Sequence, residues 1–127
     1  MSEQQSLYQR LGGYDAIAAV ANNLLPRLMS DSQLGRFWQN RGADGIDREK
    51  QLLIDFLCAS AGGPVLYIGR DNRTAHRGMG ISDSDWSRLV DHLGDTLDHF
   101  QVPTQERSDV LNFINSTKAD IVEVKAG

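Results

Sequence analysis

Apolar residues recur along this chain at the three- and four-residue spacing of amphipathic helices. Segments in which apolar and polar residues alternate, as they do in half-buried strands, are absent from the sequence. After Gly13 one helical face collects a continuous apolar stripe. Its members are Ile17, Val20, Ala21, Leu24, Leu25 and Leu28. The pattern predicts an all-α fold.

Glycine pairs and polar breaks divide the pattern into four substantial helices and two short ones. A short first helix over 7–11 ends at Gly12 and Gly13, which readily adopt the positive φ of a sharp corner. The second helix carries the stripe described above and contains Pro26, which must kink it or remove one backbone hydrogen bond. Residues 39–45 are polar and glycine-rich, and they are predicted to form a loop.

The rest of the chain is predicted to form three more long helices, with a long connector after the first of them. A third helix is predicted from Asp47 to Ala61, ended by the Gly-Gly-Pro sequence at 62–64. The connector 65–74 is long for a compact domain, which is typical of a functional segment. Ser82 or Asp83 is then expected to cap the longest helix. The last helix starts after Pro103 and is predicted to carry one apolar side as far as Val122.

Composition narrows the classes of protein to which the chain can belong. Its 127 residues fit one domain, 1–127, with residues 1–6 as a flexible N-terminus. The net charge of −4 and scattered cations argue against a nucleic-acid or membrane partner. Cys58 is the single cysteine, which excludes an internal disulfide. No signal-peptide pattern is present, so a cytoplasmic location is expected.

His76 is the strongest candidate for chemistry because of its surroundings. It follows the polar connector, precedes Gly78 and Gly80, and lies between long apolar-striped segments. A haem ligand needs a neutral imidazole whose other nitrogen donates to a fixed acceptor, commonly a backbone carbonyl one turn back. Here that carbonyl belongs to Asn72. Apolar side chains of the earlier helices would form the opposite wall: Leu25, Phe37, Trp38, Leu53 and Phe56.

His92 and His99 have a simpler interpretation. Seven residues separate them on one helix, which places them about 10 Å apart along the axis, too far to hold one metal ion. The sequence contains no His-Glu-x-x-His motif and no cysteine pair. Both histidines are therefore expected to be surface or hydrogen-bonded core residues.

Several motifs together resemble the truncated haemoglobins, and group I of that family most closely. The resemblance runs from Leu7 to about Val122, nearly the whole chain. Its motifs, in order, are 7–13 (LYQRLGG), 31–38 (DSQLGRFW), 62–69 (GGPVLYIG), 74–81 (TAHRGMGI), 92–93 (HL) and 101–103 (QVP). Each is weak alone, but their shared order and spacing make the resemblance specific.

The resemblance implies a two-over-two helical sandwich around one haem b, with His76 as the proximal iron ligand. Trp38 would pack on the porphyrin, and Tyr67, Arg70 and Arg73 would lie near the propionates, although simple solvation explains the arginines equally well. The remaining expected haem contacts are Leu25, Phe37, Glu49, Leu52, Leu53, Phe56, Ile81 and Leu93.

The chain departs from the family pattern on the distal side. Group I members usually carry tyrosine at the position of Leu25, and glutamine at one or both of the positions of Glu49 and Leu53. Leucine donates no hydrogen bond, and an ionised carboxylate only accepts them. A missing donor removes about 1–3 kcal/mol of O₂ stabilisation, which corresponds to roughly ten- to hundredfold faster O₂ loss.

Three functions remain open on the sequence alone. The first is reversible binding, transport or sensing of O₂, CO or NO as a monomer or weak homo-oligomer. The second is a haem enzyme, such as an NO dioxygenase or a peroxidase-like protein, supplied by an external reductase. The third is a helical interaction module without cofactor. Purified protein would be colourless in the third case only.

Overall fold

Helices follow one another along nearly all of the chain that the computed structural model describes, which is residues 5–39, 41–65, 67, 69 and 71–123. No β-strand occurs within these ranges, and the predicted all-α class is confirmed. The α-helices are α1 (Leu7–Leu11), α2 (Tyr14–Ser30), α3 (Ala43–Ser60), α4 (Asn72–His76), α5 (Asp83–His99), α6 (Thr104–Asn115) and α7 (Lys118–Ile121), with a 3₁₀ helix at Leu34–Trp38. No helix in this part of the chain is long and apolar enough to cross a membrane.

Local capping explains where the first helix begins and ends. Ser6 accepts a hydrogen bond from the backbone N–H of Gln9, whose side chain bonds back to the Ser6 N–H. Ser6 therefore caps α1, while residues 1–4 of the predicted flexible N-terminus lie outside the described residues. Gly12 at φ 112° and Gly13 at φ 83° form the predicted corner.

The long helices differ from prediction at three points. α3 begins at Ala43, so part of the predicted loop is helical, and its 18 residues make it longer than α5 with 17. The predicted last helix is broken into α6 and α7. The break follows from side chains that compete for backbone carbonyls, because the Ser116 and Thr117 hydroxyls donate to Phe113 and Ile114 at 2.5 and 2.7 Å.

Pro26 does not interrupt α2. The helix continues through it to Ser30. Proline removes the hydrogen bond to the carbonyl of Asn22, and both residues are exposed, so water can satisfy that carbonyl.

The two faces of α2 contribute to two separate core clusters. Ile17 and Ala21 pack with Ile54 and Cys58 of α3. Leu24 and Leu28 pack instead with α5 and α6, in a cluster that also contains Leu34, Leu93, Leu97 and Val110. A third cluster consists of Ile81, Trp86 and Val122. α2 therefore lies across both α3 and α5, and α5 packs on α6.

Asp85 joins the start of α5 to the 3₁₀ helix. Its carboxylate is 1% exposed and accepts hydrogen bonds from Arg36 Nη2 at 2.7 Å, Gln33 Nε2 at 2.5 Å and the Ser82 N–H at 3.0 Å. The Ser82 side chain in turn accepts from the Asp85 N–H, so of the two predicted candidates it is Ser82, and not Asp83, that caps α5. The guanidinium of Arg36 is the main cause of a pKa for Asp85 well below its usual range.

Candidate functional site

A cavity of about 660 Å³ opens between the helices, within the size range of small-molecule and cofactor sites. Side chains from α2, α3, α4, α5 and the 3₁₀ helix line it, and most are apolar. The structure brings together most of the residues predicted from the sequence. These are Leu25, Phe37, Trp38, Glu49, Leu52, Leu53, Phe56, Tyr67, His76, Ile81 and Leu93.

His76 is held by the contact that the sequence predicted. Its Nδ1 lies 2.8 Å from the carbonyl oxygen of Asn72, one turn earlier on α4. A carbonyl only accepts hydrogen bonds, so Nδ1 carries the proton and Nε2 keeps its lone pair in the neutral ring. Among the described residues, Nε2 has no hydrogen-bond partner. The half-buried ring thus combines a fixed tautomer with a nitrogen available to a ligand.

Leucine side chains on α2 and α3 form an apolar wall of the cavity. Leu25 is 7% exposed, and Leu52 and Leu53 are partly buried. None of the three can donate a hydrogen bond, so this wall offers a bound molecule dispersion contacts only.

Glu49 is engaged at the edge of the same cavity. Its carboxylate forms an ion pair with Arg41, and both residues line the cavity while remaining exposed over more than a third of their side chains. The pair neutralises both charges locally. Glu49 therefore places a hydrogen-bond acceptor at the edge of the cavity. The guanidinium of Arg41 is paired with this acceptor.

Aromatic rings complete two sides of the cavity. Phe37 and Trp38 meet edge to face with ring centroids 6.4 Å apart. Phe56 contacts Tyr67 edge to face at 5.4 Å and Phe113 at 5.8 Å. Aromatic contacts of this kind stabilise the arrangement of the rings beyond the area that they bury.

Of the two arginines predicted to lie near the haem propionates, only Arg73 is among the described residues. Arg73 is not among the residues that line the cavity; its Nη2 donates to Asp120 Oδ1 on α7 at 2.9 Å. Arg70 lies outside the described residues. Tyr67 lines the cavity, and its place near the propionates stays a prediction.

Several lining residues were missed by the sequence analysis. Leu89 stands one turn before Leu93 on α5, so helical periodicity carried a signal for it. Arg41, Met79 and Phe113 carried no such signal, because only packing decides which way they face.

Comparison with known proteins gives a consistent result. The family model described as bacterial-like globin matches residues 6–123. A group 1 truncated haemoglobin of Mycolicibacterium paratuberculosis is 31% identical over 126 residues, covering 99% of this chain and 90% of that protein.

Solved structures agree with the sequence relatives. The ferric crystal structure of truncated haemoglobin from Tetrahymena pyriformis matches with a TM-score of 0.85 at 25% identity, covering 93% of this chain and 98% of the other. The two-over-two haemoglobin of a Synechococcus species, crystallised in the cyanomet state with covalently attached haem, matches in fold with a TM-score of 0.84 at 24% identity. That match covers 93% of this chain and 98% of the other.

Proposed function

Because this chain belongs to the bacterial-like globin family, and within it to the group 1 truncated haemoglobins, we propose that it reversibly binds diatomic gases at a haem iron held by His76. Its helices form the two-over-two globin fold, and the family implies a haem-binding globin with gas ligands. The observation that carries the finer proposal is the Nδ1 contact of His76 with Asn72, which leaves Nε2 available.

The residues around the cavity fit a haem. The cavity is large, its walls are mainly apolar and aromatic, and the Nε2 atom of its histidine has no hydrogen-bond partner among the described residues. The described residues contain no group of three or more His, Cys, Asp or Glu side chains that competes for a metal ion. A bound haem would be held by His76, and its iron would supply a coordination site for a gas molecule. The apolar walls of the cavity would exclude water.

A b-type haem, retained without a covalent bond to cysteine, suits this chain. Cys58 is fully buried in the cluster between α2 and α3, and it is not among the residues that line the cavity. Burial also raises the pKa of the Cys58 thiol, which keeps it protonated and unreactive. Non-covalent contacts are therefore expected to hold the haem.

The apolar wall favours reversible gas binding over enzymatic reactions of bound O₂. O₂ gains more than CO from a hydrogen-bond donor, and Leu25 and Leu53 supply none. We expect fast O₂ dissociation. NO dioxygenation needs long-lived O₂ binding and a reductase, so the wall weighs against that enzymatic alternative. Reversible binding within a single domain, in the cytoplasm, is the function we propose.

Absorption spectra of the ferric, ferrous and CO-bound forms test the proposal. We expect a Soret band that shifts when CO binds the ferrous protein. The His76→Ala variant should lose or displace this band, whereas His99→Ala, at the exposed end of α5, should leave it unchanged. Colourless protein from haem-sufficient cells, or an unchanged spectrum in His76→Ala, would contradict the proposal.

A further inference from the structure

The helix that carries His76 is too short to hold its own orientation. α4 spans only Asn72–His76, and an isolated turn of helix is unstable in water. Its main packing partner is α7, near the C-terminal end of the chain. The direction in which the His76 ring points therefore depends on contacts with residues more than forty positions away.

The carboxylate of Glu123 binds the turn that directly follows His76. The Gly78 N–H donates to Glu123 Oε2 at 3.1 Å, and the Gly80 N–H donates to Oε1 at 2.9 Å. Gly78 and Gly80 have φ values of 84° and 69°. Backbone N–H groups brought together by such left-handed residues form a concave site for an anion, and here the side chain of Glu123 fills it.

The backbone around Glu123 strengthens this connection. The Glu123 N–H donates to the Ile81 carbonyl at 2.8 Å. Val122 is 8% exposed and packs with Ile81 and Trp86 in the third core cluster. Glu123 is thereby anchored on one side by the core, while its carboxylate is directed to the glycine turn.

We propose that Glu123 is a positioning residue for the proximal side of the haem site, which fixes the orientation of His76 through the Gly78–Gly80 turn. The inference rests on the proposed role of His76 as the iron ligand. A mobile turn would let α4 rotate, and the ring would then meet the iron over a range of angles. Two hydrogen bonds to one carboxylate restrict that range, since Gly78 and Gly80 donate to the two oxygen atoms of the same rigid group.

α7 itself is linked to the proximal side and to α5 by ion pairs between side chains. Arg73 and Asp120 form an ion pair with side chains 64% and 47% exposed. Lys118 and Asp83 pair at 3.2 Å, also on the surface. Glu123, Gly78 and Gly80 are exposed as well, but Glu123 binds two backbone N–H groups of the turn itself, whereas these pairs join long side chains and are screened by water and salt.

The proposal is tested with Glu123→Ala and Glu123→Gln in the full-length haem-loaded protein. The first variant removes both acceptors; the second keeps one amide oxygen. Glu106→Gln, which alters an ion pair between Glu106 of α6 and Arg10 of α1, is the matched control. Resonance Raman spectra of the ferrous forms report the iron–histidine stretching band. Amide hydrogen exchange at Gly78 and Gly80 reports the turn itself.

We expect graded effects. In Glu123→Ala, exchange at both glycines should rise by about tenfold or more, and the iron–histidine band should shift or broaden. Glu123→Gln should show a smaller change, and Glu106→Gln none. Faster exchange with an unchanged iron–histidine band would overturn the positioning role, as would unchanged exchange. The absence of this band from the wild-type protein would instead remove the proposed role of His76, and the inference with it.

Discussion

The Nε2 atom of His92 on α5 lies 2.7 Å from Oδ2 of Asp31, at the corner where α2 ends. The same carboxylate accepts hydrogen bonds from the N–H groups of Gln33 and Leu34 at 2.7 and 3.0 Å, and from Arg88 at 3.0 Å. The Asp31 side chain is only 4% exposed. One carboxylate thus joins α2, the 3₁₀ helix and α5, and His92 is a hydrogen-bonded structural residue.

This corner should make stability depend on pH. The hydrogen bond from His92 is the largest cause of a pKa for Asp31 well below its usual range, followed by the Leu34 N–H. A lowered folded-state pKa contributes stability that is present above the unfolded pKa, near 3.9, and is lost as the pH falls towards the folded value. Asp31→Asn should therefore lower the melting temperature at pH 7 and lose less further stability below about pH 4.

Thermal unfolding followed by circular dichroism across pH 2–7 measures both effects. Asp98→Asn is the control, because the Asp98 side chain is 61% exposed. An Asp31→Asn variant whose melting temperature falls with acid as steeply as that of the wild type would show that this carboxylate does not carry the acid sensitivity.

A hydrogen-bond donor added at Leu25 should slow the loss of O₂. Leu25 lines the cavity and is almost fully buried, so a hydroxyl placed there would enter an apolar region. One such donor contributes about 1–3 kcal/mol, so Leu25→Tyr should slow O₂ dissociation by roughly ten- to hundredfold, with a smaller effect on CO. Stopped-flow or flash-photolysis measurements give both rates.

The Leu25→Phe variant distinguishes the effect of the tyrosine hydroxyl from the effect of the aromatic ring. Phenylalanine fills nearly the same volume as tyrosine and donates nothing, so its O₂ dissociation rate should stay close to that of the wild type. Equal rates in the tyrosine and phenylalanine variants would mean that Leu25 does not face the gas-binding position.

A side chain at Gly63, where α3 leads into the connector, should destabilise the protein. A Cβ atom at Gly63 would overlap the ring of Tyr8, whose N–H also bonds to the Ala61 carbonyl at 2.9 Å. We expect Gly63→Ala to lower the free energy of unfolding by about 1–3 kcal/mol through overpacking.

Substitution by alanine should have the opposite effect on stability at Gly45. It lies inside α3, and a Cβ atom there would meet nothing within 4 Å. Gly45→Ala should raise the free energy of unfolding by about 0.5–1 kcal/mol, because alanine favours the helix. Urea unfolding measures both variants, and effects of the same sign would contradict this account.

The sequence predicted well those features whose cause is local. The corner at Gly12, the cap at Ser82 and the contact of His76 with Asn72 each involve residues within about one helical turn, where spacing and side-chain chemistry suffice. Two predictions were wrong for a related reason: the start of α3, and a single unbroken last helix where the structure has α6 and α7. Weak local preferences compete closely at both places, and at the second the hydroxyls of Ser116 and Thr117 bond to the backbone carbonyls of Phe113 and Ile114.

By itself, then, the sequence determined the helical class, the helix corners and the histidine with its backbone partner, because hydrogen bonds and apolar periodicity act over three or four residues. Only the tertiary structure decided that Arg41 pairs with Glu49, that Arg73 contacts Asp120, and that Glu123 reaches the glycine turn 43 to 45 positions earlier. Such partners are chosen by the way helices pack, which no local pattern records.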